Sequence, residues 1–226
     1  MSGPLILAIE SATARVGCAI GTVDEIRAST FSARPRRHAE SLIPQIRFVV
    51  DQAGAVLDDI ELVAVDIGPG LYTGLRVGIS TARAMAHTLG VSMLTVTSLE
   101  TIAHGTGGGD DLVVAIDARR GEVFHAAFPA AEARSAGSEL AVSTPQALAG
   151  SLAGRPGLRV VGDGAVAHSA VFSARGLAVG GAETAFPRPD DVLRVAAGRP
   201  GSAVRPDEVK PLYLRRPDAV AKWEGS

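Results

Sequence analysis

Two carboxylates, Glu10 and Asp117, directly follow apolar runs of strand length. Carboxylates at strand ends in α/β proteins are typical of sites that organise Mg²⁺ or a phosphate-bound water. With Thr73 and Arg119 they form a candidate set for contact with a nucleotide or phosphate. The simpler interpretation, which the sequence favours, is that each carboxylate caps its own turn by accepting a hydrogen bond from a nearby backbone N–H.

A glycine-rich loop at 68–70 precedes a helical pattern at 75–89. The free backbone N–H groups at a helix start can bind an anion, and Arg76 would add positive charge there. However, the bulky Leu71 and Tyr72 interrupt the glycines, and aromatic side chains are enriched at protein interfaces. The sequence therefore favours a protein contact surface over a phosphate site at this loop.

Small residues recur every four positions along the helix after this loop. Glycine inside a helix costs about 0.5–1 kcal/mol relative to alanine, so two glycines on one face indicate that another backbone packs very close. The spacing alone slightly favours a contact inside one domain. The alternative is an exposed subunit interface, for which Gly78→Arg would abolish pairing and leave the monomer folded. Its candidate residues are Leu71, Tyr72, Thr73, Gly74, Arg76, Gly78, Ala82 and Ala86.

The sequence lacks several familiar catalytic motifs. The glycine-rich loop has no P-loop lysine, and neither G-x-S-x-G nor H-E-x-x-H occurs, so a peptidase has no nucleophile or metal motif. The five histidines include no i, i+4 pair, and we predict no metal site. Cys18 lies in an apolar run and is interpreted as a small core residue. We assign no catalytic residue.

The composition bounds the class of protein. With 226 residues, 46% hydrophobic and 20% charged, the chain can form one large or two small folded domains. Its net charge of −2 argues against nucleic-acid binding by the chain alone, because a polyanion requires a basic surface. A single cysteine excludes an internal disulfide. Since neither a secretory signal nor a bilayer-length apolar run is apparent, we predict a cytoplasmic protein without membrane contact.

Hydrophobic periodicity predicts the elements that must position these residues. In the first half, the expected strands are 5–9, 16–22, 25–31, 62–67 and 91–96, and the expected helices are 39–53, 75–89 and one from Ser98, an N-cap residue. The order β-β-β-α-β-α-β-α indicates an α/β fold. In the second half, the pattern predicts a strand near 158–161 and helices near 144–152, 163–174 and 190–197.

A weak internal repeat relates the two halves. The segment Leu5–Ser11 matches Leu112–Ala118 in its apolar run and terminal acid, and a valine opens a second strand after each. Chance agreement between two apolar runs is the alternative. The repeat predicts a duplicated fold, with an N-terminal lobe at 1–104 that carries the interface helix and a smaller C-terminal lobe at 112–226.

Five spaced segments together resemble the TsaB (YeaZ) family, which belongs to the bacterial threonylcarbamoyladenosine tRNA-modification pathway. The segments are Ile6–Thr13, Arg37–Pro44, the GPG-x-[FY]-TGLR motif at 68–76, Ala115–Val123 and Val209–Arg215. The resemblance covers most of the chain. Several motifs in the right order are more specific than any one of them.

The resemblance implies an actin-like, ribonuclease-H-like fold of two lobes, the second reduced. It also implies a non-catalytic paralogue of the carbamoyltransferase TsaD that lacks the metal-binding histidines of TsaD. Such a subunit pairs with TsaD through the helix after the 68–76 motif, and forms a homodimer through the same face when alone. With the ATPase TsaE, the complex transfers a threonylcarbamoyl group to N6 of the adenosine beside the anticodon. ATP, Mg²⁺ and tRNA would then bind only at the level of the complex.

The chain departs from the family's usual pattern in its first strand, which ends in Glu10 rather than aspartate. This change weakens any claim of nucleotide binding, so no cofactor is assigned to the chain itself. The loop carries Leu71-Tyr72 where Ser-Phe is common, which keeps an aromatic at the interface. The rival function is an independent Mg-ATP-dependent phosphotransferase of the actin-like superfamily that uses Glu10 and Asp117. Five arginines could help a complex hold tRNA: Arg34, Arg36, Arg37, Arg215 and Arg216. The simpler interpretation is that they are scattered surface charges.

Overall fold

The computed structural model describes residues 3–33, 38–130 and 137–214, and the five arginines just named lie outside this part of the chain. The described residues form two five-stranded sheets with helices on their faces. The strands of the first sheet are β1 (Ile6–Glu10), β2 (Val16–Gly21), β3 (Ile26–Ser32), β4 (Leu62–Asp66) and β5 (Ser92–Val96).

The first sheet has the strand order β3-β2-β1-β4-β5. Strands β1, β2 and β3 are antiparallel neighbours, whereas β4 runs parallel to both β1 and β5. In the β1–β4 register Ile9 lies opposite Val65, so Glu10 and Asp66 end the two strands at the same edge of the sheet.

The second sheet repeats this arrangement with shorter outer strands. Its strands are β6 (Leu112–Arg119), β7 (Glu122–Phe128), β8 (Ala141–Ser143), β9 (Arg159–Val161) and β10 (Ala178–Val179). Its order, β8-β7-β6-β9-β10, equals that of the first sheet, with β9 and β10 again parallel to the first strand of the lobe. The predicted duplicated, actin-like architecture with a reduced second copy is confirmed.

Seven α-helices are found in the described residues. They are α1 (His38–Gln52), α2 (Tyr72–Leu89), α3 (Ser98–Thr106), α4 (Pro145–Leu152), α5 (Asp163–Ala167), α6 (Ser169–Ser173) and α7 (Pro189–Ala197). Helix α2 begins three residues before the predicted start and ends at Gly90, whose φ of 69° lies in the left-handed region that favours glycine. The single helix predicted at 163–174 is two short helices, α5 and α6, which meet at His168. No described helix combines the length and apolarity that crossing a membrane requires.

The two faces of the first sheet pack against helices from different parts of the chain. Leu42 of α1 and Ile79 of α2 join Leu7 in the core on one face. On the other face, Val192 and Leu193 of α7 pack with residues of β1, β2, β4 and β5. Because α7 follows the second sheet in sequence, the chain returns to the first sheet after building the second. The predicted division into lobes at 1–104 and 112–226 stays a prediction.

The second sheet also buries both faces. On one side α3 packs on β6 and β7 through Leu99 and Ile102. On the other, Leu148 of α4 and Phe172 of α6 pack against β6 and β9. Helix α3, which follows β5, therefore connects the first sheet to the core of the second.

Candidate functional site

Two loops meet where β1 and β4 end, next to the start of α2. The backbone N–H of Leu71 donates to the carbonyl of Ala12 at 2.6 Å. Gly70 has no room for a side chain there, because a Cβ would overlap the same carbonyl. This close backbone approach fixes the point at which α2 begins.

Glu10 and Asp66 are completely buried at this meeting point. Oε1 of Glu10 accepts a hydrogen bond from the N–H of Ala12 at 2.9 Å. Oδ1 of Asp66 accepts from the N–H of Gly68 at 2.7 Å and from the Ser98 hydroxyl at 2.9 Å. Each carboxyl therefore holds the loop that follows its own strand, and Asp66 also holds the start of α3.

Burial raises the pKa of both carboxyl groups, because removal from water disfavours the charged form. The pKa of Glu10 lies well above its ordinary value, first through burial and then through the nearby charge of Asp66 and the hydrogen bond between the two side chains. Burial raises the pKa of Asp66 to about 6, against the hydrogen bonds that Glu10, Gly68 and Ser98 make to it. Asp66 therefore ionises first, and Glu10 is the carboxyl of the pair that keeps its proton to higher pH.

The sequence predicted Ser98 as the N-cap of α3, and this prediction is wrong. Thr97 takes that position: its hydroxyl accepts from the N–H of Glu100 at 3.2 Å, while the Glu100 carboxylate accepts from the N–H of Thr97 at 3.0 Å. This reciprocal capping box leaves the Ser98 hydroxyl free to bond to Asp66.

The small-residue face of α2 is buried within the protein's own fold. Gly74, Gly78, Ala82 and Ala86 all lie in the core-facing part of the helix. The Ser11 hydroxyl donates to the Gly74 carbonyl at 2.9 Å, and a Cβ on Gly78 would overlap Ser11 Oγ. The hypothesis of an exposed interface on this face is wrong, and the contact inside one domain that the spacing slightly favoured is confirmed. Helical spacing shows that these residues share a face, but not which backbone meets it.

The opposite side of α2 is exposed, and we call it the α2 outer face. It consists of Tyr72, Thr73, Arg76, Ser80, Arg83, Ala84 and His87. The sequence of α2 contains no Asp or Glu, so this strip is basic on an otherwise acidic chain. Of the predicted interface residues, Tyr72, Thr73 and Arg76 lie on it, and Leu71 is half-buried at the helix N-cap.

Aromatic rings and an arginine stack at one end of the α2 outer face. The rings of Tyr72 and Tyr213 have centroids 5.2 Å apart and an angle of 28° between their planes. The guanidinium of Arg76 lies 4.4 Å from the centre of the Tyr72 ring, within cation–π distance. Leu212 donates its N–H to the Ile67 carbonyl at 2.8 Å, which places the Tyr213 segment beside the loop before α2.

An open groove runs along the other end of the α2 outer face. It has a volume of about 380 Å³ and is lined by Ser80, Arg83, Ala84 and His87 of α2 and by Pro206 and Asp207. Small side chains at Ser80 and Ala84 allow a neighbouring element to approach the helix closely. The groove and the Tyr72–Tyr213 stack together make a continuous exposed surface along α2.

A separate cleft between the two lobes contains Asp117 and Arg119. Thr13 and Asp163 also line it. Oδ1 of Asp117 accepts from the N–H of Arg119 at 2.8 Å, and Oδ2 pairs with the Arg119 guanidinium at 3.0 Å. Asp163 in turn accepts from the N–H of Asp117 at 3.0 Å, and burial raises the pKa of Asp163.

The four candidate nucleotide-contact residues do not lie in one place. Asp117 and Arg119 share the cleft, Glu10 is buried against Asp66, and Thr73 lies on the α2 outer face. The cleft has a volume of about 10 Å³, room for about one water, so it does not fit a nucleotide. Glu10 and Asp117 each accept from the backbone N–H two residues later, which is the turn-capping arrangement. Within the described residues, no three His, Cys, Asp or Glu side chains cluster as a metal site would require.

Comparison with known proteins assigns the chain to a family. A sequence model described as "TsaD: tRNA N6-adenosine threonylcarbamoyltransferase" matches residues 27–179. The Escherichia coli tRNA threonylcarbamoyladenosine biosynthesis protein TsaB is 32% identical over 228 residues, covering 97% of this chain and 98% of that protein. The chain belongs to the TsaB family. An uncharacterized protein of Mycobacterium leprae is 35% identical over 219 residues, but this chain spans only 56% of its length.

A solved structure supports the same assignment. A Pseudomonas aeruginosa protein, described as uncharacterized with similarity to peptidase YEAZ, has a TM-score of 0.81 at 25% identity. The match covers 94% of this chain and all of that one. The TsaB-family fold is therefore present over nearly the whole length.

Sequence reasoning missed two acids, the buried Asp66 and the half-buried Asp163. Asp66 was absorbed into the apolar run of β4, and Asp163 into a helical pattern. The available signal was position: Asp66 ends a strand directly before the glycine-rich loop, as Glu10 ends β1. In a parallel pair, two such acids come to the same edge of the sheet.

Cys18 is a core residue, as predicted, and we expect it to be unreactive in the folded protein. Its side chain is completely buried, and burial raises its pKa to about 12, so the nucleophilic thiolate is scarce. Iodoacetamide should label the chain only after a denaturant is added. Mass spectrometry of native and denatured samples, with glutathione in the same tube as a reactive control, measures this. Native labelling as fast as that of glutathione would contradict the buried position.

Proposed function

We propose that this chain is a non-catalytic, activating subunit of the complex that transfers a threonylcarbamoyl group to N6 of the tRNA adenosine beside the anticodon. Membership of the TsaB family supports a role in tRNA threonylcarbamoyladenosine biosynthesis. In this proposal the chain docks the catalytic subunit TsaD through the α2 outer face. A reaction on tRNA requires the complex to work in the cytoplasm.

The observation that carries the docking proposal is the character of the α2 outer face. Tyr72, Arg76 and Arg83 are exposed on this face, and the exposed Tyr213 stacks beside it. Helix α2 contains no acid that would neutralise the two arginines. Tyrosine and arginine are the residue types that most often dominate binding energy at interfaces. The partner surface expected here is therefore helical or flat and rich in carboxylates.

The other partners of the proposal come from the family resemblance. In the absence of TsaD, we propose that a second copy of this chain occupies the α2 outer face, so that homodimer and heterodimer exclude each other. The ATPase TsaE would join the assembled pair. Transfer RNA would be held by the complex rather than by this chain, whose net charge of −2 gives it little attraction for a polyanion.

The test is reconstitution with and without this chain. Mixed with TsaD from the same organism, the chain should elute with it as a single complex in size-exclusion chromatography. Modification of tRNA by TsaD, TsaE and the threonylcarbamoyl donor should then depend on adding the chain. Failure to co-elute, together with full modification in its absence, would contradict the proposal.

A titration of the isolated chain with Mg-ATP separates the proposal from the rival phosphotransferase. A phosphotransferase must bind Mg-ATP and turn it over without TsaD. We expect neither heat of binding nor turnover, because Glu10 is enclosed away from the interlobe cleft and the cleft lacks room for a nucleotide. Saturable binding with phosphate release by the chain alone would favour the rival.

A further inference from the structure

Two buried oxygen atoms at the meeting point of β1 and β4 lack a hydrogen-bond donor. They are Oε2 of Glu10 and Oδ2 of Asp66, the atoms left over after the other oxygen of each carboxyl has accepted from a loop. The two side chains are completely buried at the ends of neighbouring parallel strands, so a contact between them is the way left to satisfy these two oxygens. Two carboxylates offer only acceptors, so such a contact requires a proton on one of them.

We propose that Glu10 and Asp66 hold one proton between Oε2 of Glu10 and Oδ2 of Asp66, and that this proton locks together the loops that follow β1 and β4. The Glu10 hydroxyl donates to the Asp66 carboxylate, which satisfies both remaining oxygens. The lock then runs from the Ala12 N–H through the carboxyl pair to the Gly68 N–H. It fixes the two loops whose contact, from Leu71 to Ala12, sets the start of α2.

A proton fits this position better than a metal ion. A divalent cation takes six or more oxygen ligands, several of which are usually waters, and among the described residues only two carboxyls meet at this completely buried point. Oε1 of Glu10 and Oδ1 of Asp66 are already committed to backbone and hydroxyl donors at 2.7–2.9 Å. A proton needs only the two free oxygens.

The side chain at position 10 matters for this contact. A glutamate reaches one methylene further from its strand than an aspartate would. Glu10 and Asp66 lie at the ends of neighbouring parallel strands, so the extra length is available for reaching the adjacent strand while Oε1 accepts from the Glu10 loop at Ala12.

Few other charges act on the pair. Glu100 on α3 raises the pKa of Asp66, and is itself bound by Arg199 at 3.0 Å. Cys18, on the strand next to β1, has a raised pKa and is neutral. On α7, Asp191 is paired with His104 at 3.1 Å and lies 3.6 Å from Arg194.

The proton makes folding depend on pH in a defined direction. A carboxyl whose pKa is raised in the folded state stabilises the fold fully below its unfolded pKa, about 4 for Asp and Glu. That stabilisation is lost as pH rises through the folded pKa. The stabilisation from Asp66, whose folded pKa is about 6, is lost as the pH rises through 6. The stabilisation from Glu10 is lost at higher pH. Above pH 6, each pH unit over which Glu10 keeps its proton in the folded state should lower the folding equilibrium constant by up to about tenfold.

The test is the pH dependence of unfolding in wild type and in Glu10→Gln, from pH 6 to 8. The glutamine N–H donates permanently to Asp66, and its oxygen still accepts from Ala12, so the variant should lose this fall in stability with rising pH and be the more stable protein at pH 8. All other side chains are the same in both proteins and cancel in the comparison. Glu61→Gln is the matched control: Glu61 is exposed and accepts only from the Leu5 N–H, so its profile should parallel wild type.

Infrared spectroscopy gives a second readout that does not depend on stability. The folded wild type at pH 7 should show the carbonyl band of a buried protonated carboxyl, and Glu10→Gln should lack it. If Glu10→Gln folds poorly, Asp66→Asn should shift the frequency of this band, because Glu10 then has no carboxylate to donate to. Parallel unfolding profiles and no such band would overturn the proposal. So would a chelator that destabilises wild type but not Glu10→Gln at pH 8, since that result would identify a cation between the carboxyls.

Discussion

Gly78→Ala will unfold at a lower denaturant concentration than the wild-type chain, and Gly78→Arg will not yield a folded protein. A methyl group at position 78 overlaps Ser11 Oγ, whose hydrogen bond to the Gly74 carbonyl must then break. Overpacking costs about 1–3 kcal/mol and the lost hydrogen bond about 1 kcal/mol, while alanine regains up to about 1 kcal/mol of helix propensity. The expected loss in free energy of unfolding is about 1–3 kcal/mol, measured by urea denaturation followed by circular dichroism.

Two further variants isolate the contact. Gly150→Ala makes the same change inside α4, where the position is exposed and a methyl group would lie 3.5 Å from Arg175 Nη1, so it should be neutral or slightly stabilising. In a Ser11→Ala background the added cost of Gly78→Ala should shrink, because the overlapping hydroxyl is gone. An equal cost in both backgrounds would show that Ser11 is not what excludes a side chain from position 78.

The double variant Arg76→Glu/Arg83→Glu will lose its complex with TsaD and keep its fold. Reversing two charges on the α2 outer face sets like charges against the carboxylate-rich partner surface that we propose, and such juxtaposition costs several kcal/mol. We expect the dissociation constant for TsaD to increase at least about 100-fold, which corresponds to a loss of about 2.8 kcal/mol in binding free energy. Surface plasmon resonance against immobilised TsaD measures it. Exposed substitutions of this kind change stability by about 0.5 kcal/mol or less.

The matched control reverses two exposed arginines of the second lobe, Arg155→Glu/Arg175→Glu. It has the same net charge as the double variant on α2 and should bind TsaD as wild type does. Equal weakening by both variants would indicate a general charge effect rather than docking by the α2 outer face. Unchanged binding of the Arg76→Glu/Arg83→Glu variant would remove that face from the proposed interface.

The sequence predicted the elements of the fold well because their signals are local. The apolar run before Asp66 lies within one strand, and the helical spacing that predicted α1 and α7 lies within a few turns of helix. The internal repeat predicted the duplication because β1 and β6 keep the same pattern of apolar residues and terminal acid. Neither β8 nor β10 is predicted from the sequence, because they have three and two residues and show too little apolar pattern to be recognised.

The candidate site was harder to predict because its contacts are long-range. Gly74 and Gly78 have the same spacing whether their face meets a partner or the loop at Ser11. Only the packing of α2 against that loop decides between them. Likewise, nothing local to Glu10 reveals that Asp66, on a neighbouring strand, will be its hydrogen-bonding partner.

The return of α7 to the first sheet has a consequence for synthesis on the ribosome. The ribosome synthesises β1 to β5 long before residues 189–197, so one face of the first sheet has no helix packed on it in the nascent chain. Ile6, Ala8 and Leu94 stay uncovered until the second lobe has been made. Ribosome-bound chains that stop before residue 189 should therefore attract chaperones that recognise apolar strands, and release them once α7 has emerged.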